Sequence, residues 1–443
     1  MGYVKLRSVK RLSVLLTTAS SGGTIAAVRH LGAMGINVGV VSSRRFCAAA
    51  WSSRATRSYS APPESQNRRF LDRLLAIGEA DPSQILLPTS DETAWLYTVH
   101  AALLERHFCV YQPSIATMRR ILDKKLFAEA VARTGLAILP SWDPRNIDDL
   151  AELAPTLLYP ILIKPRTHVH RIRNDKGVVV RSKSELIRQY QEFVTCERER
   201  AADDPLLPEA GRPILQPLVD VARQGVHSVT GFIDRTGELF VTRQSTKVFQ
   251  RLQPVGVGVC FESLPTDPVL SNAVFRLCRE LGYFGVFEVE FLWFDGHWAA
   301  IDFNPRFFNQ MGMDIHRGMP LPLFACLDAS GYTATLRDAV AKAQAEDHSS
   351  TTVFCDRFTL EAILLAQTIT SRISRKERAY WRSWTKQNAA YAVDVAADPS
   401  DWAPGLVHAL SEVYLGLRAI PRFLRSTVPV SRSLAPVSTK VQS

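Results

Sequence analysis

The sequence predicts an α/β protein, and three features carry that prediction. A strand–turn–helix–strand unit opens the chain, an amphipathic β-hairpin rich in carboxylates occupies residues 285–306, and the pattern turns helical and basic beyond about residue 335. At 443 residues the chain has room for about two to four domains. Its 46% hydrophobic and 22% charged residues exclude a largely disordered chain.

The opening unit reads as a strand over Ser13–Thr18, a turn and cap over Ser20–Thr24, a helix over Ile25–Met34 and a buried strand over Gly35–Val41. Gly22-Gly23 precede a helix N-terminus, yet Gly-x-Gly-x-x-Gly is absent and no acid ends the second strand. A tight turn is therefore expected there, not a phosphate site. Gln84–Pro88 is a further strand leading to a helix capped by Ser90, and Phe108–Tyr111 closes a small parallel domain. A helix is expected from Ser114 to a stop at Gly135. Pro160–Lys164 is a short strand ending in a cation, Val178–Val180 is another, and Ser182 and Glu185 form a capping box. Residues 196–212 read as a polar loop. Strands resume at Ile214–Val219, His227–Ile233 and Leu239–Thr242, and the tail after Arg425 is expected to be disordered.

The net charge of +10 is local: residues 1–70 hold eleven Lys and Arg against the single acid Glu64. They lack the interleaved stacking aromatics and motifs of a nucleic-acid module, so a solvated face or attraction to anionic ligands or lipid surfaces is expected, with no nucleic-acid partner. No run approaches the length of a membrane span, and no signal peptide is read. Seven scattered cysteines without Cys-x-x-Cys fit a reducing, cytoplasmic location and no zinc site. The basic C-terminal helices, with Trp381 and Trp384 and later Arg418, Arg422 and Arg425, fit either packing on the body or peripheral contact with an anionic membrane.

Within the hairpin, Phe287, Val289, Phe291, Ala299, Ile301 and Phe303 are apolar, while Glu288, Glu290, Asp302 and Asn304 alternate with them. A two-residue Asp295-Gly296 turn would put Asp302 on the face opposite Glu290. A three-residue loop, Phe294-Asp295-Gly296, gathers all four polar groups on one side and is the expected register. Carboxylates so crowded repel unless a cation lies among them, and oxygen donors favour magnesium or manganese over zinc. A wet outer sheet face is the competing explanation.

Asp302-Phe303-Asn304-Pro305-Arg306, with Glu290 twelve residues upstream, resembles the Glu-x-Asn-Pro-Arg motif of ATP-grasp proteins, near the carbamoyl-phosphate-synthase and carboxylate–amine ligase branches. The resemblance covers roughly residues 13–325. It implies that Glu290, Asp302 and Asn304 hold Mg²⁺ or Mn²⁺ beneath ATP, that Arg306 and Lys164 serve the transferring phosphoryl group, and that Lys124 and Lys164 contact phosphates. It further implies that Gln216, Pro217, Leu218 and Val219 form the adenine hinge and that His227 meets the ribose, with Asp220 nearby. Four departures stand out: Asp302, Gln216 and His227 replace acids, the first two replacing Glu, and the loop Arg166–Gly177 is rich in charge rather than glycine. Lys247, Arg251, His316 and Arg317 are further candidates for gripping a carboxylate.

The implied organisation is a Rossmann-like domain over 1–112, an ATP-grasp domain over 113–335, a helical extension over 336–425 and a tail over 426–443. The implied function is a magnesium-dependent, ATP-binding cytoplasmic ligase. It joins a small-molecule carboxylate to an amine through an acyl phosphate and releases ADP and phosphate, with a homodimer as a candidate assembly. The alternatives are a bicarbonate or non-carboxylate acceptor, and a nucleotide-binding regulatory protein with a degenerate site.

Overall fold

The computed structural model describes residues 12–44, 46–171, 176–201, 204–219, 225–251, 256–346, 351–369, 373–394 and 397–425. The N-terminal part is a parallel sheet of β1 (Ser13–Leu16), β2 (Asn37–Ser42), β3 (Arg57–Ser60), β4 (Gln84–Leu86) and β5 (Phe108–Val110). Its order is β3-β2-β1-β4-β5, so the direction of winding reverses between β1 and β4. Parallel neighbours need crossovers, which the helices Gly22–Ala33 and Asn67–Ala80 supply. Ser90 caps its helix by accepting from the Thr93 N–H.

Gly22 and Gly23 receive protein, not phosphate. The Gly22 N–H donates to Asn309 Oδ1 at 3.2 Å, and a Cβ on Gly23 would overlap the Phe308 carbonyl oxygen. Gly23→Ala is thus expected to lower stability by about 1–3 kcal/mol, the range for forcing extra atoms into a packed site, read as a lower urea midpoint with unchanged slope.

The single helix expected after Ser114 is two, Ile115–Leu122 and Lys124–Arg133. Asp123 breaks it: its backbone is extended, its carboxylate caps the second helix by accepting from the Lys125 and Leu126 N–H groups, and the Lys124 N–H donates to the Arg166 carbonyl at 2.9 Å. Lys124 is thereby held, buried, at a helix start.

Next comes a small antiparallel sheet of order β8-β7-β9, from β7 (Ile161–Lys164), β8 (Val178–Val180) and β9 (Ile214–Pro217). Helix Lys183–Ala201 backs it and runs into the stretch expected to be a loop, because Leu186, Tyr190 and Phe193 repeat at helical spacing and bury against this sheet.

The large sheet contains β6 (Ala137–Ile138), β10 (Val226–Ile233), β11 (Phe240–Arg251), β12 (Val257–Leu264), β13 (Gly285–Phe294), β14 (His297–Asn304), β15 (Val353–Cys355) and β16 (Ala392–Val393). Its order is β16-β15-β12-β11-β10-β13-β14-β6. β11 extends far beyond the expected Leu239–Thr242. Its continuation, Arg243 to Lys247, is buried although wholly polar, so the usual apolar alternation is hidden. The C-terminal extension is helical, over Arg357–Ile369, Arg375–Gln387 and Ala403–Arg425, and adds β15 and β16 to the sheet. Trp381 packs edge-on against Phe249, and Trp384 Nε1 donates to Glu262 Oε1 at 2.6 Å, so that helix is packed on the body. The tail 426–443 lies outside the described residues. Among the described residues no helix is long and apolar enough to cross a membrane.

Candidate active site

β13 and β14 are joined by the two-residue turn Asp295-Gly296, both left-handed at φ 49° and 80°, not by the expected three-residue loop. Near the turn the register is the one that alone would separate Glu290 from Asp302: Phe294 faces His297 and Phe291 faces Ala300. A bulge then inserts one residue, after which Glu290 faces Asp302 and Glu288 faces Asn304. Parity is restored beside the site instead of at the turn, since Asp-Gly matches the tight twist of a hairpin. As a result Ala299 and Ile301, expected in the core, leave it. Ala299 packs with Leu139, Val226 and Leu292, Ile301 lines the cleft, and Ala300 joins the core.

The hairpin floors a cleft between the large and small sheets. One end is apolar, with Leu139, Leu162, Leu218, Val219, Val226 and Leu292; Gln216 and Pro217 of β9 lie there too. Gln216 Nε2 donates to Ser141 Oγ at 2.9 Å. The middle is charged. Lys124 Nζ donates to Asp302 Oδ1 at 3.0 Å, and Lys164 Nζ to the Ile301 carbonyl at 3.3 Å. Burial favours the neutral acid at Asp302, but Lys124, Lys164, His168 and Lys176 outweigh it and hold its carboxyl well below the ordinary range. Burial pulls Lys164 down to about 8.

Lys247 Nζ donates to Glu290 Oε1 at 2.6 Å, and despite burial this lysine keeps the Glu290 carboxyl below its usual value. Glu288 accepts from Ser228 Oγ at 2.9 Å, from Asn304 Nδ2 at 3.0 Å and from Gln310; burial and then the Glu290 charge push it up to about 7. Arg306 donates to Asn304 Oδ1 at 2.9 Å and to Asp91 Oδ1 at 2.6 Å. Asp91 opens a helix of the N-terminal part, so that part orients the arginine.

The structure therefore gathers Lys164, Arg306, Glu290, Asp302 and Asn304 in the cleft with Gln216 to Val219 and Lys247, and brings Lys124 onto Asp302. His227 is the exception. It pairs with Phe291 on the face away from Glu290, donates from Nε2 to Gln244 Oε1 at 3.0 Å and tilts against Trp298. Its neighbour Ser228 is the residue that faces the carboxylates. Arg317 is buried beneath carbonyls of Gln244 and Leu264, Arg251 pairs with Glu412, and His316 is exposed, so these three do not line the cleft. Asp220 lies outside the described residues. Sequence reasoning missed Asp91, Gln250, Phe261, Asn309 and Gln310; of these only the amides just past the Asn-Pro-Arg motif carried any local signal.

The charge-rich loop divides its work. Arg166 is spent on Asp123 at 2.8 Å and Asp143 at 3.2 Å, whereas Lys176 lines the cleft with His168 3.4 Å from its Nζ. Ile172 to Asp175 lie outside the described residues. His170, left-handed at φ 58°, inserts its ring between Glu92 at 3.3 Å and Asp204 at 2.9 Å, tying the loop to the N-terminal part. Burial lowers the His170 pKa, but hydrogen bonds and charge from Glu92 and Asp204 raise it overall. Its contribution to stability is thus complete below about 6.5, the unfolded value, and is lost as pH rises through the higher folded value. Thermal melts should show wild type losing more stability than His170→Gln across that interval; parallel curves would refute the latch.

No family model matches the chain, and no curated protein matches it in sequence. Solved structures do match in fold. Biotin carboxylase from Campylobacter jejuni, in complex with β-γ-ATP, aligns at TM-score 0.57 and 16% identity over 73% of this chain and 72% of that one. The biotin carboxylase domain of Hydrogenobacter thermophilus 2-oxoglutarate carboxylase, with MgADP, ADP and bicarbonate, aligns at 0.57 and 15% over 72% and 70%. N5-carboxyaminoimidazole synthetase from Staphylococcus aureus aligns at 0.52 and 14% over 72% and 77%. Two sheets enclosing a lysine- and carboxylate-lined cleft, behind a parallel N-terminal domain, give this chain the ATP-grasp fold.

Proposed function

We propose that the protein is an ATP-dependent ligase that phosphorylates a carboxylate and transfers the acyl group to an amine. The observation that carries this is the direct pairing of Glu290 with Asp302 inside the cleft, each with one oxygen held by a lysine. Among the described residues Glu290 Oε2 and Asp302 Oδ2 have no protein partner, and their side chains keep 16% and 13% exposure. Free carboxylate oxygens beside the Asn304 amide oxygen fit a hard divalent cation such as Mg²⁺ or Mn²⁺. Such an ion supplies neutralisation of charge on the phosphate oxygens.

The chain's own groups account for the rest. The apolar end, with Gln216 and the β9 backbone, accepts a base, and Lys124, Lys164 and Lys176 oppose the charge of a triphosphate. A carboxylate oxygen attacks the γ-phosphorus, the bond to ADP breaks, and Arg306 steadies the phosphoryl group in transit. An amine nitrogen then attacks the acyl carbon, phosphate leaves with the bond electrons, and the nitrogen loses a proton. Lys247, Gln250 and Gln310 line the far end, where carboxylate and amine would lie. The two bulk effects are orientation and a largely water-free site, so no Ser-His-Asp arrangement is needed.

The test is ADP release from ATP and Mg²⁺ against pools of carboxylates and amines. Stimulation by one pair, with amide formed in equal amount, supports the proposal. Thermal stabilisation by ATP without ADP formation from any pair favours the regulatory alternative, and stimulation by bicarbonate alone favours a carboxylating one.

A further inference from the structure

We propose that the outer face of the C-terminal helix, together with Phe46 and Trp51, docks on an anionic phospholipid surface. Helix Ala403–Arg425 packs on the N-terminal part through Val407, which shares a core with Ala48 and Ala49, and Ser411 Oγ donates to the Phe46 carbonyl at 3.4 Å. Asp401 locks its start by accepting from Arg29, Ser52 and Ser53. The opposite side of the helix is apolar and turned to solvent: Trp402, Leu406, Leu410 and Val413 are 66%, 51%, 55% and 49% exposed. Their spacing is that of a single helical stripe, and in the sequence Leu417, Ile420 and Leu424 repeat it. Phe46 and Trp51, stacked at 6.1 Å, are exposed beside it.

Charge decides the occupant. Arg44 and Arg54, which flank Phe46 and Trp51, are exposed, and residues 413–443 carry four Arg and one Lys with no acid. The acids of this region are engaged: Asp401 as above, Glu412 by Arg251 at 2.7 Å, and Asp398 with Arg29 at 3.9 Å. The exposed Arg44 and Arg54 thus flank the apolar face, and the sequence from residue 413 onward adds only cations. Two copies of such a face repel each other, whereas an anionic leaflet attracts the cations and accepts Trp and aliphatic side chains at its interface.

The full-length protein should cosediment with vesicles of phosphatidylcholine plus phosphatidylserine, and not with phosphatidylcholine alone. Added salt should weaken binding, and Leu406→Glu with Leu410→Glu should weaken it about tenfold or more. Both positions are exposed, so the melting midpoint of the double variant should match wild type. Absent binding, equal binding to both vesicles, or binding untouched by the substitutions overturns the proposal. A wild-type dimer that the same substitutions dissolve also overturns it, assigning the face to a second copy of the chain.

Discussion

Glu290→Gln is expected to lower ATP-dependent ADP release on the order of a hundred- to a thousand-fold, the scale for deleting one preorganised electrostatic group from a dry site. Glutamine keeps the shape and can still accept from Lys247, but it removes the negative charge that a divalent cation requires. The substitution also leaves the buried Lys247 without its counter-charge, so some stability is lost as well. The two effects separate in the double variant Lys247→Gln with Glu290→Gln, which should recover the melting midpoint and not the turnover. Wild-type turnover by Glu290→Gln would show that the facing carboxylates are not the metal site.

Asp302→Asn is expected to cost about 3–5 kcal/mol, as for any buried ion pair from which one partner is removed. Lys124 touches this carboxylate, and Lys164 and Lys176 also feel its charge. Without it three ammonium groups confront one another in a cleft. Because the folded pKa of Asp302 is depressed, its contribution is present above the unfolded value of about 3.9 and is lost as pH falls through the lower folded value. The gap in urea midpoint between wild type and variant should therefore be constant near neutrality and close only in acid. Inorganic tripolyphosphate should restore part of the lost stability by supplying anionic charge to the lysines. A variant with unchanged stability and no response to tripolyphosphate would disprove the cluster.

How legible the site was depended on how local its signals were. The shared face of Glu288, Glu290, Asp302 and Asn304 followed from alternation, although the device that secures it, a bulge at Ile301, differs from the loop that alternation suggested. Lys164 announced itself as a cation closing an apolar strand. His227 was misplaced by one residue of strand parity, which sends a side chain to the other face. Arg166 looked like part of a phosphate clamp because its carboxylate partners, Asp123 and Asp143, come from other segments.

Alone, the sequence determined the α/β class, the place along the chain of most strands and the face on which the acids stand, since period, turn chemistry and caps act over a few neighbouring residues. Only the tertiary structure decided which cation meets which carboxylate. Lys124 reaches Asp302 across 178 positions, and Arg306 reaches Asp91 across 215. Contacts made by folding distant segments together leave no periodic trace. Inside a polar cleft, burial no longer selects apolar residues, so pattern alone is silent there.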